Sequence, residues 1–234
     1  MHAIFKREVK AYFYSPIAYV LTGLFIFISS IFFLQNLFGQ IGTFNDNLSS
    51  MALVLLFIIP ILTMRALAEE RKNGTEVLLV TSPVSVWGIV MGKFLAALFM
   101  LLVMVVITFI YPLILVAFGG ALTVQLVGGY IGFILMGASC IAVGIFASSL
   151  TENQVVAAVI GFISLLTMWL IDFIANFSGG LFAQILQWFS IISRYNDFSR
   201  GILSLSPVVY YLSFIGVFLF LTVRVIEKRR WSQG

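Results

Sequence analysis

The chain has 234 residues, of which 62% are hydrophobic and 9% charged, and its net charge is +4. An ordinary soluble domain carries about a quarter charged residues, so this composition excludes a soluble globular protein and predicts an integral membrane protein. The long uncharged runs leave room for several helices of about 20 apolar residues, the length that crosses a bilayer.

The positive charges are unevenly placed along the chain. They cluster before the first apolar run, between residues 65 and 93, and after residue 223, and only Arg194 and Arg200 lie elsewhere. Cytoplasmic segments of membrane proteins are enriched in Lys and Arg, so these three clusters are predicted to be cytoplasmic. The excess of positive charge is therefore explained by the orientation of the chain in the lipid bilayer and does not indicate a nucleic-acid partner.

The first predicted element is a helix over residues 1–15 that lies on the membrane surface. Its apolar residues fall within one arc, Lys6, Arg7 and Lys10 lie on the other side, and Glu8 does not fit the pattern. Ser15 followed by Pro16 is typical of a helix start. The membrane spans predicted from there on are 17–38, 50–66, 84–117, 126–147, 154–174 and 207–226.

A charged segment, EERKNGTEVLLVTSP, separates the second and third spans. We expect 65–72 to extend the second span into the cytoplasm, Asn73 and Gly74 to stop that helix, and Thr75 to cap a short helix that ends at Ser82 and Pro83. This short helix would present apolar side chains, among them Leu78 and Leu79, and Glu76 to the cytoplasm. A solvated connector is one interpretation; because a connector needs no apolar patch, a docking site for a partner protein is favoured.

The fourth span carries Gly128 and Gly132 in G-x-x-x-G spacing, which lets two helices approach closely. A seam between two copies of the chain and ordinary packing within one chain are equally open alternatives.

Residues 177–205 are predicted to form an outer, partly membrane-dipping helical hairpin. A further crossing there would place the basic C-terminal residues outside, against the positive-inside rule. Asp172 is a carboxylate at membrane depth, either a functional site or a hydrated helix end. Arg194, Asp197 and Arg200 are spaced to meet on one helix face, as a solvated face or as an exit gate or partner surface.

The sequence offers no catalytic or cofactor-binding constellation. His2 is the only histidine and Cys140 the only cysteine, so a histidine or thiolate metal site cannot be built within one chain. The stretch from Gly88 to Phe94 resembles a phosphate-binding loop but is one spacer short and places Phe94 where Ser or Thr is needed. If the protein uses ATP and Mg²⁺, we expect another chain to bind them.

Four stretches together resemble the permease subunit of type-2 ABC transporters, in the branch that includes the gliding-motility permease GldF and the permease NosY. They are FKREVKAYFYSPIAYV, EERKNGTEVLLVTSP, VMGKF and DFSRGILSLSPVVYYLSFIGVFLFLTVRVIEKRR. The resemblance implies an all-α fold of six membrane helices with both termini cytoplasmic, in which 1–15 is the elbow helix, 69–82 contains the coupling helix, and 177–205 caps the pathway.

The resemblance also implies partners and a division of labour. Two permease copies, identical or different, would assemble with two ATPase subunits in a bacterial inner membrane, and a GldG-like partner with a large outer domain would join in the gliding-motility group. The permease itself would have no catalytic role. The residues that match the family pattern of the coupling region most closely are Glu69, Glu70, Gly74, Thr75 and Glu76.

The main functional hypothesis is an ABC permease that couples ATP hydrolysis in a partner to transport or to mechanical work. The alternative is a scaffold that anchors an outer-domain partner without moving a solute. An ATP-independent carrier or channel is disfavoured, because the spans lack pairs of buried ionisable residues.

Overall fold

The computed structural model describes residues 1–39, 44–75, 85–118, 124–177, 180, 190–202 and 204–232. In these residues the chain is helical throughout and contains no strand. The helices are α1 (His2–Tyr14), α2 (Pro16–Phe38), α3 (Asn45–Thr63), α4 (Arg65–Lys72), α5 (Val86–Thr108), α6 (Ile110–Ala117), α7 (Val124–Leu150), α8 (Gln154–Phe177), α9 (Ile191–Ser199) and α10 (Leu205–Ser232).

Within the described ranges, six helical segments are long and apolar enough to cross a membrane. They are α2, α3 together with α4, α5 together with α6, α7, the part of α8 up to Ala175, and the part of α10 up to Arg229. The predicted fold class, an all-α membrane protein with six spans, is confirmed.

The centre of the bundle is α7, whose most apolar window is 78% buried, against 17% for α8. Glycines allow this central position, because a side chain at Gly137 would collide with Leu101 of α5 and one at Gly144 with Thr63 of α3. Small residues let neighbouring helices approach closely in a membrane, so the glycines of α7 explain why several helices pack around it. The α3–α4 span is 72% buried, whereas α2, α8 and α10 expose apolar side chains over much of their surface.

The third span is interrupted at Phe109, between α5 and α6. Pro112 has no backbone N–H to donate to the carbonyl of Thr108 four residues earlier, and its ring crowds that carbonyl. The hydroxyl of Thr108 donates instead to the carbonyl of Val105, at 2.6 Å. The break is therefore a local consequence of the proline.

The helices place polar groups at two ends of the bundle. The end with α1, α4, the last turn of α7 and the last turns of α10 is called the charged end here. There Lys93 pairs with Glu8, and the guanidinium of Arg229 donates to the carbonyl of Ser149. The opposite end has the first turns of α3 and α7 together with α9. Since the first and last helices both reach the charged end, the six spans return the chain to the side where it begins.

Candidate functional site

Four ionised side chains at the charged end form one network, the charge clasp of Arg7, Glu8, Glu70 and Lys93. The Lys93 ammonium lies 3.1 Å from Glu8 Oε1 and 2.9 Å from Glu70 Oε1. Arg7 Nη2 contacts the same two carboxylates. The clasp therefore joins α1, α4 and α5 at one point.

The four side chains of the clasp are buried to different extents. The Lys93 side chain is 2% exposed and those of Glu8 and Glu70 are 15% exposed, whereas Arg7 is 50% exposed. A buried ammonium is tolerated only when it is paired and hydrogen-bonded, and two carboxylates meet that need. Burial would lower the pKa of the Arg7 guanidinium, but Glu8 and Glu70 raise it above its usual value, so Arg7 stays charged.

The close approach of α1 to α5 depends on Gly92. A Cβ at this position would lie 2.9 Å from Ile4 Cγ2 and 3.1 Å from Ile4 Cβ, so Ile4 would have to shift. With glycine there, α1 lies directly against α5, and Lys93 reaches the carboxylate of Glu8. Glu8, which did not fit the amphipathic pattern of the helix, thus lies on the face that needs a negative charge.

Tyr12 adds a second attachment of α1, to the end of α3. Its hydroxyl donates to the carbonyl of Leu62 at 3.1 Å. Burial and, to a smaller extent, the charge of Glu8 raise the pKa of Tyr12. The phenol therefore stays neutral and keeps its proton for this hydrogen bond.

A single hydroxyl, that of Ser148 on α7, holds the bend between α3 and α4. It donates to the carbonyl of Met64 at 2.9 Å and accepts from the backbone N–H groups of Leu67 and Ala68 at 3.0 and 3.1 Å. The first N–H groups of a helix have no partner within the helix, and Ser148, itself buried, supplies one from another span. We refer to these three bonds as the Ser148 pin.

The far side of α4 is attached to the connection between α7 and α8. Arg71 Nη2 lies 2.7 Å from Glu152 Oε1, and Arg71 also donates to the carbonyl of Leu150 at 3.5 Å. With the clasp on one side and the Ser148 pin and Arg71 on the other, α4 is tied to α1, α5 and α7.

The end of α4 has the backbone conformation that the sequence predicted. Gly74 adopts φ +69°, in the left-handed region that favours glycine, and its N–H donates to the Arg71 carbonyl at 3.1 Å. Thr75, predicted to cap a following helix, donates its hydroxyl to the Glu70 carbonyl at 3.2 Å. The remaining residues predicted for coupling, Glu76, Leu78, Leu79, Ser82 and Pro83, lie outside the described residues.

The two glutamates predicted for coupling have different surroundings. Glu70 belongs to the clasp, whereas Glu69 is 43% exposed and lies 3.9 Å from Arg65 of the same helix. Glu70 therefore connects α4 to the rest of the bundle, and Glu69 faces outward.

The residues predicted for an outer gate lie at the opposite end, on α8, on α9 and directly after α9. Asp172 accepts from the hydroxyl of Ser190 at 2.7 Å, which ties α8 to the start of α9. The guanidinium carbon of Arg194 lies 5.7 Å from the ring centre of Tyr210 on α10. Arg194 and Asp197 lie three residues apart on α9 and Arg200 follows its end; among the described residues no ion pair joins Asp197 to either arginine, and a gate on this face stays a prediction.

The glycine pair of α7 lies in the interior of the chain. A Cβ at Gly132 would meet the Cβ of Phe198 on α9 at 2.6 Å, and Gly128 is buried as well. At Gly132 the close neighbour thus belongs to the same chain, in line with the intrachain alternative. The seam between two copies stays a prediction.

Sequence reasoning missed several residues of this site, and Glu8, Lys93 and Ser148 are three instructive cases. Two of them carried a signal, since Glu8 breaks the amphipathic pattern and Lys93 interrupts an apolar run. Ser148 carried none, because a serine at the end of a span is ordinary and its three partners are backbone groups of another helix.

The site is thus a set of mechanical attachments. Among the described residues, no group of three or more His, Cys, Asp or Glu side chains is placed to hold a metal ion. The model of one protein family, ABC-2 family transporter protein, matches residues 2–228. A comparison with curated proteins found no match. Because the family match spans almost the whole chain, the protein belongs to the ABC-2 transporter family, as a multi-pass membrane permease subunit of an ABC transporter.

Proposed function

We propose that this permease couples ATP hydrolysis by a separate ATPase subunit to movement of its membrane helices, and that α4 with the segment up to residue 82 is the coupling arm. The observation that carries the proposal is the attachment of α4 on both sides, through the charge clasp to α1 and α5 and through the Ser148 pin to α7. A connector without a mechanical role needs no such attachments.

The attachments define how a push on α4 would spread. Through Glu70 and Lys93, displacement of α4 pulls on α5, and through Glu70 and Arg7 it pulls on α1. Through Ser148 the same displacement acts on α7, which is the centre of the bundle. In this proposal α1 and α4 move as one body, and ATP drives the movement because the docked ATPase makes different contacts with α4 in its two states.

The orientation follows from the charges. Apart from Arg194 and Arg200, the lysines and arginines belong to segments at or near the charged end. Positive charges favour the cytoplasmic side, so we place the charged end, with both termini and α4, in the cytoplasm of a bacterium and the bundle in its inner membrane.

The assembly we propose has two permeases, as a homodimer or heterodimer, and two ATPase subunits that bind ATP and Mg²⁺. The permease has no catalytic role of its own. The resemblance to GldF and NosY extends the proposal to a GldG-like partner with a large outer domain, on which the mechanical work would act.

The coupling role is tested by changing Gly74 to Ala in the assembled transporter and measuring its ATPase rate relative to that of the ATPase subunits alone. Alanine is strained at φ +69° although no atom lies within 4 Å of its Cβ, so the change disturbs the direction of the arm and not a contact. The same substitution at Gly180, which has φ +72° and equally open surroundings, is a matched control far from α4.

We expect Gly74→Ala, and more strongly Gly74→Ala combined with Glu76→Ala, to weaken assembly or the effect of the permease on the ATPase rate. Gly180→Ala should leave both unchanged. Unchanged assembly and ATPase rate in the double variant would contradict the coupling role.

A further inference from the structure

An open cleft of about 310 Å³ lies between α1 and α4 at the charged end. Its walls carry charges of both signs, contributed among others by Arg7, Glu8, Arg65, Glu69 and Glu70. Glu8 and Glu70 belong to the clasp and so to the proposed coupling. The cleft itself and its outer charges have no part in that role.

The outer charges of the cleft are accessible. Arg65 Nε and Glu69 Oε2 are 3.9 Å apart, and both side chains are 43% exposed. An ion pair this long and this exposed contributes little to stability. A ligand that offers each group a closer partner can therefore separate the pair at small cost.

The inner charges of the cleft are already engaged. Glu8 and Glu70 pair with Lys93 and Arg7 in the clasp. The Tyr12 hydroxyl already donates to the Leu62 carbonyl. The chemistry of a ligand is thus decided by Arg65 and Glu69, with the half-exposed guanidinium of Arg7 beside them.

Arg65 and Glu69 lie at different distances from the apolar part of the bundle. Arg65 is the first residue of α4, next to the apolar helix α3, and it reaches Ser15 Oγ at 3.4 Å where α1 meets α2. Glu69 lies one helical turn further from α3, about 6 Å along the axis at 1.5 Å per residue. The cation is thus nearer to the membrane and the carboxylate is farther out.

We infer that this cleft binds the headgroup of an aminophospholipid, with its phosphate on Arg65 and its primary ammonium on Glu69. In such a headgroup the phosphate is attached next to the acyl chains and the ammonium extends beyond it, which is the order of the two protein charges. A guanidinium is suited to phosphate oxygens, and a primary ammonium has three N–H donors for a carboxylate.

The same geometry selects against the other common headgroups. A choline headgroup has no N–H to donate to Glu69, and a glycerol headgroup carries no cation to balance the charge of that carboxylate. The inference requires that α1 and α4 lie at the membrane surface and is independent of coupling to an ATPase.

The test is native mass spectrometry of the purified full chain, titrated separately with phosphatidylethanolamine, phosphatidylcholine and phosphatidylglycerol of identical acyl chains. We expect the first phosphatidylethanolamine to bind about tenfold more tightly than the other two lipids, a difference of about 1.4 kcal/mol. Glu69→Gln should abolish the preference over phosphatidylcholine, and Arg65→Gln should weaken binding of all three lipids. Lys72→Gln removes an exposed cation of α4 outside the cleft lining and should change nothing.

Equal binding of phosphatidylethanolamine and phosphatidylcholine, or tighter binding of phosphatidylglycerol, would overturn the inference, as would a Glu69→Gln variant that keeps the preference. If Glu69→Gln does not fold, Glu69→Asp keeps the charge and must keep the preference. Since these measurements contain no ATPase, their failure would leave the coupling proposal standing, and a failed coupling test would leave the lipid site standing.

Discussion

The two ends of the bundle are held together by different chemistry. At the charged end, α1, α4 and α5 meet in a network of four ionised side chains. At the opposite end, the Asn45 amide donates to the carbonyls of Gln125 and Ser199 at 2.9 and 2.8 Å, and the Tyr211 hydroxyl donates to that of Ile191 at 2.7 Å. The network of four ionised side chains belongs to one end alone, where the Ser148 pin and the Tyr12 bond add uncharged ties, and uncharged ties to the backbone join helices at the other end.

The difference has a mechanical consequence. An ion pair near water is weakened by salt and can be rearranged by the charges of a docking partner. A hydrogen bond from a neutral side chain to a buried carbonyl does not respond to salt or to the charges of a docking partner. Leaving that carbonyl unpaired in an apolar bundle is costly. We therefore expect the charged end to be the adjustable end and the opposite end to be the fixed one.

The largest effect is expected from Lys93→Met. The substitution keeps the length of the side chain but leaves Glu8 and Glu70, both mostly buried, with Arg7 as their remaining cation in the clasp. Breaking a buried ion pair by removing one partner costs about 3–5 kcal/mol, and the partial exposure of the carboxylates puts this case near the lower figure. Thermal unfolding in detergent measures the loss.

Lys72→Met is the control for this prediction, since Lys72 is an exposed cation on α4. Its unfolding temperature should stay near that of the wild type. If both variants unfold at the same temperature, the clasp does not hold the charged end together.

A smaller loss, from packing alone, is expected at the opposite end. Gly132→Ala would place a methyl group 2.6 Å from the Phe198 Cβ, and overpacking of this kind costs about 1–3 kcal/mol. Gly216→Ala, with nothing within 4 Å, should be neutral. Unfolding at low and high salt should show a salt-independent loss for Gly132→Ala and a loss that shrinks in part with salt for Lys93→Met, because salt screens the half-exposed Arg7 of the clasp more than the buried Lys93; the same salt response in both would remove the distinction between the ends.

The smallest of the three losses is expected for Ser148→Ala, which leaves one carbonyl and two N–H groups at the break between α3 and α4 without their partner. The Met64 carbonyl and the Ala68 N–H, four residues apart, can then bond to each other as in a regular helix, so the expected loss is about 1–3 kcal/mol, that of one unmade buried hydrogen bond. Hydrogen exchange should accelerate at Leu67 and Ala68. Ser164→Ala removes a hydroxyl bonded within its own helix and should leave these amides unchanged; equal rates in both variants would exclude the Ser148 pin.

The sequence was enough to predict the fold class, because a bilayer imposes a length and an apolar composition on every span. The start of α3 shows where this reasoning weakens. The span was predicted from residue 50, yet the helix begins at Asn45, and Asn45 and Asn47 are buried. Their amide nitrogens donate to carbonyls of other segments, so these polar residues are bonded through their N–H groups inside the bundle.

The candidate site was less predictable than the fold, because most of its contacts join residues that are far apart in the sequence. The glycine stop at Gly74 is a local property of the backbone, and the sequence predicted it. The clasp and the Ser148 pin depend on which helices become neighbours. That arrangement follows from the close contacts of Gly92 and of the α7 glycines, and a single sequence does not reveal it.

The most direct test of the account asks whether α1 and α4 move as one body. In a Cys140→Ser background, which removes the only cysteine, Ala11→Cys and Asn73→Cys place one thiol on α1 and one at the end of α4 without changing the clasp. A cleavable bismaleimide then links the two helices in the assembled transporter. We expect the ATPase rate of the linked complex to equal that of the single-cysteine controls, and a rate that falls on linking and returns on cleavage would contradict the account.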